Sequence, residues 1–254
     1  MIHYSNGKLR SKALAVNPTA PGFRYGTGFF ETIYYNGNNL CHLDLHLDRL
    51  FHSLRAHDIA YDTIDFERVV NILLDRNELS GSTARVNIVY SAGTPRSHPV
   101  VLVAPFEPRP YKAYRLCLCE ERHVSHLNAH KTNSYMFFHL AHKQANAAGF
   151  DDSALFDFDN NLLEATTGAI LFKKNGSLYE PQSDFKLPST TLAQAKTIHD
   201  ITTRPINRDE LGEFRHAYLL NSLIGMRPIV GIGEYAFAPD EGPCEPVTSL
   251  VLGC

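Results

Sequence analysis

The sequence predicts a two-domain protein of the α/β (α+β) class. Its 254 residues are enough for two ordinary domains with a substantial core. Strand signals alternate with stretches in which apolar residues recur with the helical period, a pattern typical of mixed strands and helices. The prolines of APFEPRPY interrupt regular structure near residue 105. We therefore expect an N-terminal α/β domain at 1–104, a linker at 105–113 and a second domain at 114–254.

The strands of the N-terminal domain are predicted from clusters of aromatic and β-branched residues. The first is GFFETIYY at 28–35, after which Asn36-Gly37 predicts a hairpin turn and 39–42 the returning strand. Two further apolar runs, at 84–91 and 100–104, are expected to be strands of the same domain.

Two helices are expected to pack on this sheet. The leucines at 43, 47, 50 and 54 share one helical face, so the first helix is predicted to begin near residue 44. The second helix is predicted from Phe66 to Leu74, with Asp62 or Thr63 as its N-terminal cap.

Beyond the linker we expect mainly strands. Turn signals rich in asparagine separate apolar runs across residues 154–181, which predicts a β-meander. The other expected elements are a strand at 114–119, a histidine-rich loop ending at His130, a helix at 134–148, and a helix that Thr190 or Thr191 caps and that reaches Ile198.

The composition excludes several classes of protein. The 24 lysines and arginines are balanced by 27 acidic residues and are scattered, so we expect no nucleic-acid partner. No apolar stretch approaches the roughly 18 residues of a membrane span, and the N-terminus lacks the apolar region of a signal peptide. We therefore expect a cytoplasmic protein with no membrane partner. The cysteine count is odd, at five, which predicts reduced thiols.

Metal and dinucleotide motifs are weak in this sequence. Cysteines and histidines recur from Cys117 to His142, but they lack the paired knuckles of structural zinc sites. His42 and His46 lack the glutamate of a zinc-protease motif, and the GTG at 26–28 lacks the third glycine of a dinucleotide fingerprint. We predict no metal site and favour packing or surface positions for these histidines.

Six sequence blocks in a fixed order cover most of the chain: YGTGFFETIYYNGN, HLDLHLDRLFHSL, KTNSYMFFHLAHKQANAAGFDDSALFD, LLEATTGAILF, LPSTTL and NSLIGMRPIVGIGE. Together they resemble the class IV pyridoxal-phosphate enzymes, a family of branched-chain aminotransferases, D-amino acid aminotransferases and aminodeoxychorismate lyases. Each block alone is a weak signal, whereas their order and spacing are specific. The resemblance implies a small N-terminal α/β domain and a larger C-terminal domain of β-barrel character. It also implies pyridoxal 5'-phosphate as the cofactor, a small amino-acid-like substrate and a homodimer.

The resemblance identifies the two residues that carry the chemistry. Pyridoxal phosphate must be tethered by an amine that later moves a proton at the substrate α-carbon, and Lys131 matches that position. A carboxylate facing the pyridine nitrogen keeps it protonated, so that the ring can accept electrons, and Glu164 matches this position. Glu164 lies among Leu162, Leu163 and Ala165, a setting that favours a buried charge with a partner.

The remaining cofactor contacts are also implied by the resemblance. Arg49 matches the arginine that binds the cofactor phosphate, and Tyr135 matches a tyrosine that hydrogen-bonds the ring hydroxyl. Arg49 lies off the leucine face of its helix, so periodicity leaves open whether it faces a site or water. Tyr135 could equally be a packed helix tyrosine. Hydroxyls and backbone amides for the phosphate are expected from Thr190, Thr191 and Ser222.

Two blocks depart from the family pattern. LPSTTL at 187–192 lacks the glycine and the arginine of the usual Leu-Pro-Gly-x-Thr-Arg, so its phosphate contacts are expected to differ. A strand end that often carries Arg-Gly is here Tyr90-Ser91-Ala92-Gly93, which removes a potential carboxylate-binding arginine.

The choice of reaction depends on the last block. Asn221-Ser222-Leu223 resembles the lyases more than the Gly-Thr-Ala or Ser-Thr-Thr of aminotransferases. The prediction is a 4-amino-4-deoxychorismate lyase that releases pyruvate and 4-aminobenzoate. The alternative is a class IV aminotransferase that acts on branched-chain or D-amino acids with a 2-oxo acid acceptor. A non-enzymatic binding module would instead be isolated without the yellow colour of the cofactor.

Overall fold

The computed structural model describes residues 1–93, 96–108 and 110–253, and these form two compact units. The first unit contains 1–108 together with 130–135 and 252–253, apart from the undescribed positions. The second contains 110–129 and 136–251. A boundary at 105–113 alone would place 130–135 in the second domain. That segment belongs to the first unit because its backbone pairs with the strand that begins at Gly28.

The first unit is built on an antiparallel sheet of five strands in the order β2-β1-β5-β4-β3. Its helices supply the apolar residues that cover the sheet, including Leu50, Leu54, Val70 and Leu73. The elements are β1 His3–Ser5, β2 Lys8–Arg10, α1 Pro21–Arg24, β3 Gly28–Tyr35, α2 Leu43–Ala56, α3 Phe66–Arg76, β4 Ala84–Ser91 and β5 Pro99–Pro105.

Two local predictions for this unit were wrong. Residues 39–42 do not form a strand, and Leu40 makes only an isolated bridge to Tyr35. The chain enters α2 at Leu43, so too few residues follow the turn to extend the pairing. The cap of α3 is Asp65, whose side chain accepts a hydrogen bond from the Arg68 amide at 3.0 Å, and not Asp62 or Thr63.

The second unit contains a mixed sheet of nine strands that is curled into a half-barrel. This agrees with the β-barrel character predicted for the C-terminal domain. The path through the sheet is β11-β10-β9-β12-β13-β6-β7-β8, and β14 pairs with β13. The elements are β6 Tyr114–Leu118, α4 Met136–Ala147, β7 Asp152–Phe156, β8 Leu162–Ala165, β9 Ala169–Lys174, β10 Ser177–Pro181, α5 Thr190–Ile198, β11 Ile201–Arg204, β12 His216–Asn221, β13 Gly225–Ile232, β14 Tyr235–Ala236 and α6 Cys244–Gly253, with 3-10 helices at His126–Ala129 and Arg208–Glu213.

The predicted meander is two separate hairpins. β7 pairs with β8 and β9 pairs with β10, but β8 and β9 are not neighbours in the sheet. Instead β9 pairs with β12, and β6 is inserted in parallel between β7 and β13. Turn signals identify the hairpins, whereas the order of distant strands depends on which apolar faces pack together.

The thiols differ among themselves. Cys117, Cys119 and Cys244 are free, but Cys41 is disulfide-bonded, so the expectation of reduced thiols was wrong for Cys41. Cys254 lies outside the described residues. Within the described ranges no helix is long and apolar enough to cross a membrane.

Candidate active site

The site residues predicted from the sequence are divided between the two units. Arg49, Lys131 and Tyr135 belong to the first unit. Glu164, Thr190, Thr191 and Ser222 belong to the second.

Lys131 is held by the edge of β3 and by two aromatic rings. Its carbonyl accepts a hydrogen bond from the Phe30 amide at 2.9 Å. Its Nζ lies 4.7 Å from the ring centroid of Phe30 and 5.3 Å from that of Tyr135. The two rings meet edge to face at 5.4 Å. Both ring faces attract an ammonium group, so they restrict where the amine can go.

The glycines before β3 allow this close approach. Gly28 has a φ of +144°. The backbone amide of Asn133 donates a hydrogen bond to the Gly28 carbonyl at 2.9 Å. A Cβ on Gly28 would collide with the Tyr90 carbonyl and the Asn133 side chain. Gly26 has φ +66° and lies against Ser134 in the same way. The GTG sequence is therefore a packing requirement of the lysine segment.

Arg49 points to a buried carboxylate. Its Nε and Nη2 donate to the two oxygens of Glu31 at 2.7 Å each, and His46 Nδ1 lies 2.7 Å from Glu31 Oε2. The Glu31 side chain is 1% exposed and that of Arg49 is 12% exposed. Burial by itself raises the pKa of Glu31, but Arg49 and the hydrogen bond from His46 overcome it and lower the pKa to about 2. The bidentate pair with Glu31 fixes the orientation of the guanidinium.

Sequence reasoning missed Glu31 and His46, although a signal for each was present. Alternation along β3 places Glu31 on the face of Phe29 and Ile33, which are both buried. On α2 the buried residues are His46, Leu50, Ser53 and Leu54, and His46 precedes Leu50 and Leu54 by four and eight positions, which places it on their face. Leucine spacing therefore describes only part of the buried face of this helix.

Glu164 lies in β8, where every residue is buried. Its side chain accepts a hydrogen bond from the Leu187 amide at 3.2 Å, which agrees with the expectation of a buried charge with a partner. Leu187 opens the LPSTTL block, so this bond joins two of the sequence blocks within the second unit.

Asp152, which the sequence analysis did not single out, organises the turn that follows Glu164. Its carboxylate is 1% exposed and accepts hydrogen bonds from the amides of Ser153, Thr166 and Thr167 at 2.7, 3.2 and 3.2 Å. The hydroxyls of Thr166 and Thr167 donate to it as well. A buried carboxylate with this many donors fixes the backbone after β8.

The N-terminus of α5 carries Thr190 and Thr191. Its cap is Ser189, whose Oγ accepts from the Leu192 amide at 3.2 Å, so the predicted threonine caps were wrong. Ser189 stands where the family pattern has glycine. Thr191 is buried, and the amides of Thr190 and Thr191 belong to the first turn, which has no carbonyl one turn back. Such amides and the helix dipole suit an anion.

Ser222 lies in the turn between β12 and β13. The Asn221 side chain accepts from the amides of Leu223 and Ile224 at 3.0 and 3.1 Å, which fixes this turn. Gly225 follows with φ +66° and packs against Thr248, where a side chain would not fit.

Each unit carries groups that suit a part of pyridoxal phosphate. In the first unit a lysine amine confined by aromatic rings suits an aldehyde and an arginine suits a phosphate. In the second unit a buried carboxylate suits a protonated ring nitrogen and helix-terminal amides suit a phosphate. Among residues 1–93, 96–108 and 110–253, no cluster of three or more His, Cys, Asp or Glu could hold a metal ion.

Comparison with known proteins bears on the family. The profile of the Amino-transferase class IV family matches residues 28–232. The aminodeoxychorismate lyase of Bacillus subtilis (strain 168) is 35% identical over 96 residues, which cover 37% of this chain and only 32% of that protein.

Solved structures share the fold. The branched-chain aminotransferase of Thermoproteus uzoniensis with norvaline superposes with a TM-score of 0.86 at 20% identity, covering 100% of this chain and 95% of that one. A Legionella pneumophila (subsp. pneumophila, str. Philadelphia 1) protein, provisionally named 4-amino-4-deoxychorismate lyase, gives 0.83 at 19% identity, covering 93% and 94%. These identities establish the fold alone. The family profile, which spans most of the chain, shows that this protein belongs to the class IV aminotransferases, a family of pyridoxal-phosphate-dependent enzymes that includes both aminotransferases and lyases.

Proposed function

We propose that this enzyme cleaves 4-amino-4-deoxychorismate to pyruvate and 4-aminobenzoate. The observation that carries the proposal is the 35% identity to an aminodeoxychorismate lyase. The turn Asn221-Ser222-Leu223 and the absence of an arginine at Ser91 and Ala92 support it. An aminotransferase binds two acids in turn and usually needs a dedicated cation for the α-carboxylate. A lyase binds one, and formation of an aromatic ring drives its reaction.

The proposed residue functions follow from their chemistry. When bound, pyridoxal phosphate withdraws electrons from the substrate carbon that bears the amino group. Lys131 would tether the cofactor through its amine and, once the substrate amine has displaced it, would take the proton from that carbon. Glu164 would keep the ring nitrogen protonated, and Tyr135 would donate a hydrogen bond to the ring oxygen. Arg49 would bind the phosphate.

The family resemblance also assigns phosphate binding to residues of the second unit. We assign this function to the hydroxyls and amides of Thr190, Thr191 and Ser222. The first-turn position of the two threonines in α5 supports it, since anions bind well there. By family resemblance we further propose a cytoplasmic homodimer that serves folate biosynthesis, and gel filtration tests the dimer.

A product assay tests the reaction. Cofactor-loaded enzyme given aminodeoxychorismate is expected to release pyruvate and 4-aminobenzoate in equal amounts with no added 2-oxo acid. The control is the same enzyme with an amino acid and a 2-oxo acid. If turnover requires that pair and aminodeoxychorismate yields no pyruvate, the aminotransferase replaces the lyase while Lys131 and Glu164 keep their assignments.

Lys131→Ala tests the assignment of the tether. The variant is expected to lose the visible absorbance of the lysine-bound cofactor and to keep less than about one part in a thousand of the activity, because nucleophile and proton carrier vanish together. Lys143→Ala, an exposed lysine on α4, is the matched control and is expected to keep both. A variant without Lys131 that still shows the lysine-bound spectrum would exclude this residue.

A further inference from the structure

The backbone around Lys131 pairs with the edge of β3. The Phe30 amide donates to the Lys131 carbonyl, and Thr132 forms an isolated bridge with Phe29. These bonds hold the strand-like segment against the sheet edge. They do not fix the segment relative to α2, the helix that carries Arg49.

His130, which immediately precedes Lys131, makes that second connection. Its Nδ1 lies 2.9 Å from Ser53 Oγ, and Ser53 Oγ donates to the Arg49 carbonyl at 3.0 Å. Ser53 is 2% exposed, so its hydroxyl is shielded from water. Two hydrogen bonds thus lead from the residue before the lysine to the backbone of the arginine.

The direction of this relay follows from the number of protons. A hydroxyl has one proton, and the Arg49 carbonyl can only accept it. Ser53 therefore accepts from His130, which must carry its proton on Nδ1. His57 Nδ1 lies 3.0 Å from the Ser53 carbonyl and, for the same reason, is a donor.

The surroundings of His130 favour its neutral form. Burial lowers the pKa of His130, and the neighbouring His57 and His52 lower it further. Its ring meets the His57 ring edge to face at 4.5 Å, stacks on His52 at 6.0 Å and contacts Phe29 at 5.8 Å. A neutral imidazole in this setting has one N–H, and the relay places it on Nδ1.

We propose that His130 and Ser53 are positioning residues that fix Lys131 relative to Arg49 through this one-way relay. The inference rests on the functions proposed above for Lys131 and Arg49. Neither His130 nor Ser53 is assigned contact with the cofactor. Their effect is to hold the tethering amine and the phosphate-binding arginine at a constant separation within the first unit.

Four variants test the relay by cofactor binding. Ser53→Ala removes both hydrogen bonds of the relay and His130→Leu removes one, and each break is expected to weaken pyridoxal-phosphate binding by about five- to tenfold in titrations of the apoprotein. The double variant is expected to bind pyridoxal phosphate as tightly as the single variant with the lower affinity, because the two residues act as one unit. His130→Asn places an amide N–H near the position of Nδ1 and is expected to restore binding to within about twofold.

Two further measurements separate this function from simple packing. His52→Asn removes a stacked imidazole outside the relay and is expected to leave cofactor affinity unchanged. The pH titration of the visible band of the bound cofactor is expected to shift in Ser53→Ala and His130→Leu and to return in His130→Asn. Circular dichroism identifies any variant that fails to fold. Among the folded variants, the cofactor affinity of His130→Asn compared with that of His130→Leu shows whether the hydrogen bond or simple packing is responsible.

The relay is overturned if the affinity losses of the two single variants add up in the double variant. It is also overturned if His130→Asn binds pyridoxal phosphate no better than His130→Leu. Borohydride reduction of the loaded wild-type protein, followed by peptide mass spectrometry, distinguishes this failure from failure of the proposed function. If the reduced cofactor is attached to Lys131 but the losses of affinity are additive, only the relay is rejected. If it is attached to a different lysine, both the relay and the proposed function of Lys131 are rejected.

Discussion

Arg49 and Glu31 form a buried ion pair on the face of β3 that α2 covers. A charged pair of this kind is costly to break, because loss of one partner leaves the other desolvated. Glu31 thereby holds the guanidinium in one orientation before any phosphate is present. Preorganisation of this kind reduces the ordering cost of binding.

Glu31→Gln is expected to change acid stability. The pKa of Glu31 is lower in the folded than in the unfolded chain, about 2 against 4.5, so its contribution is complete above pH 4.5 and is lost as the pH falls toward 2. We expect the variant to lose on the order of 3 kcal/mol of unfolding free energy at neutral pH and to show a flatter pH dependence in that window. Urea unfolding at a series of pH values measures both.

The matched control for Glu31 is Glu213→Gln. Glu213 pairs with Lys174 at the surface and is 59% exposed, so its removal is expected to change stability little. Equal acid sensitivity of wild type and Glu31→Gln would contradict the importance of the buried pair.

Glu164→Gln is expected to keep the cofactor but to reduce turnover by roughly two to four orders of magnitude, since the proposed function of Glu164 is to stabilise developing electron density with a buried charge. The amide oxygen can still accept from Leu187, so the fold is retained. Glu180→Gln is the control, because Glu180 is also buried in the second unit but pairs with Lys186 and Lys196. Steady-state kinetics decides, and near-normal turnover in Glu164→Gln would reassign this residue to structure.

At the scale of elements, the 130–135 segment can pair with β3 only because the backbone at Gly28 comes close to it and to β4. Gly28→Ala is expected to lower the unfolding free energy by more than about 3 kcal/mol, because a Cβ there meets the Tyr90 carbonyl at a φ that favours glycine. Gly7→Ala, at φ +74° with open space around it, is expected to cost only about 1 to 2 kcal/mol. Chemical denaturation of both variants provides the comparison, and equal losses would show that backbone strain alone is responsible.

Most element boundaries could be predicted because their signals are local. Residues 84–91 form a strand as predicted, and α2 and α3 begin within one residue of the expected positions. The caps were less predictable, since several polar residues precede each helix and only one has a side chain oriented toward the first-turn amides. The strand β6 was predicted, but its place in the sheet was not, because its parallel partners β7 and β13 are distant in sequence.

For the whole molecule, cofactor binding is expected to raise thermal stability. A ligand at about a hundred times its Kd stabilises by about 2.7 kcal/mol, which corresponds to a rise in Tm of about 5 to 10 °C for a chain of this size. Differential scanning fluorimetry with pyridoxal phosphate measures it, with pyridoxal as a control that lacks the phosphate. A smaller rise with pyridoxal is expected, and no rise with pyridoxal phosphate would contradict the assigned cofactor.

The sequence by itself determined the family, the order of most elements and the candidate tether Lys131, because motifs, turns and amphipathic periods are written in neighbouring residues. It did not determine that Arg49 pairs with Glu31, that Asp152 secures the turn after Glu164, or that His130 meets Ser53, 77 positions away. Only the tertiary structure decided these contacts. Periodicity shows which face of an element is buried, whereas the partner on that face depends on how sheet and helix pack in three dimensions.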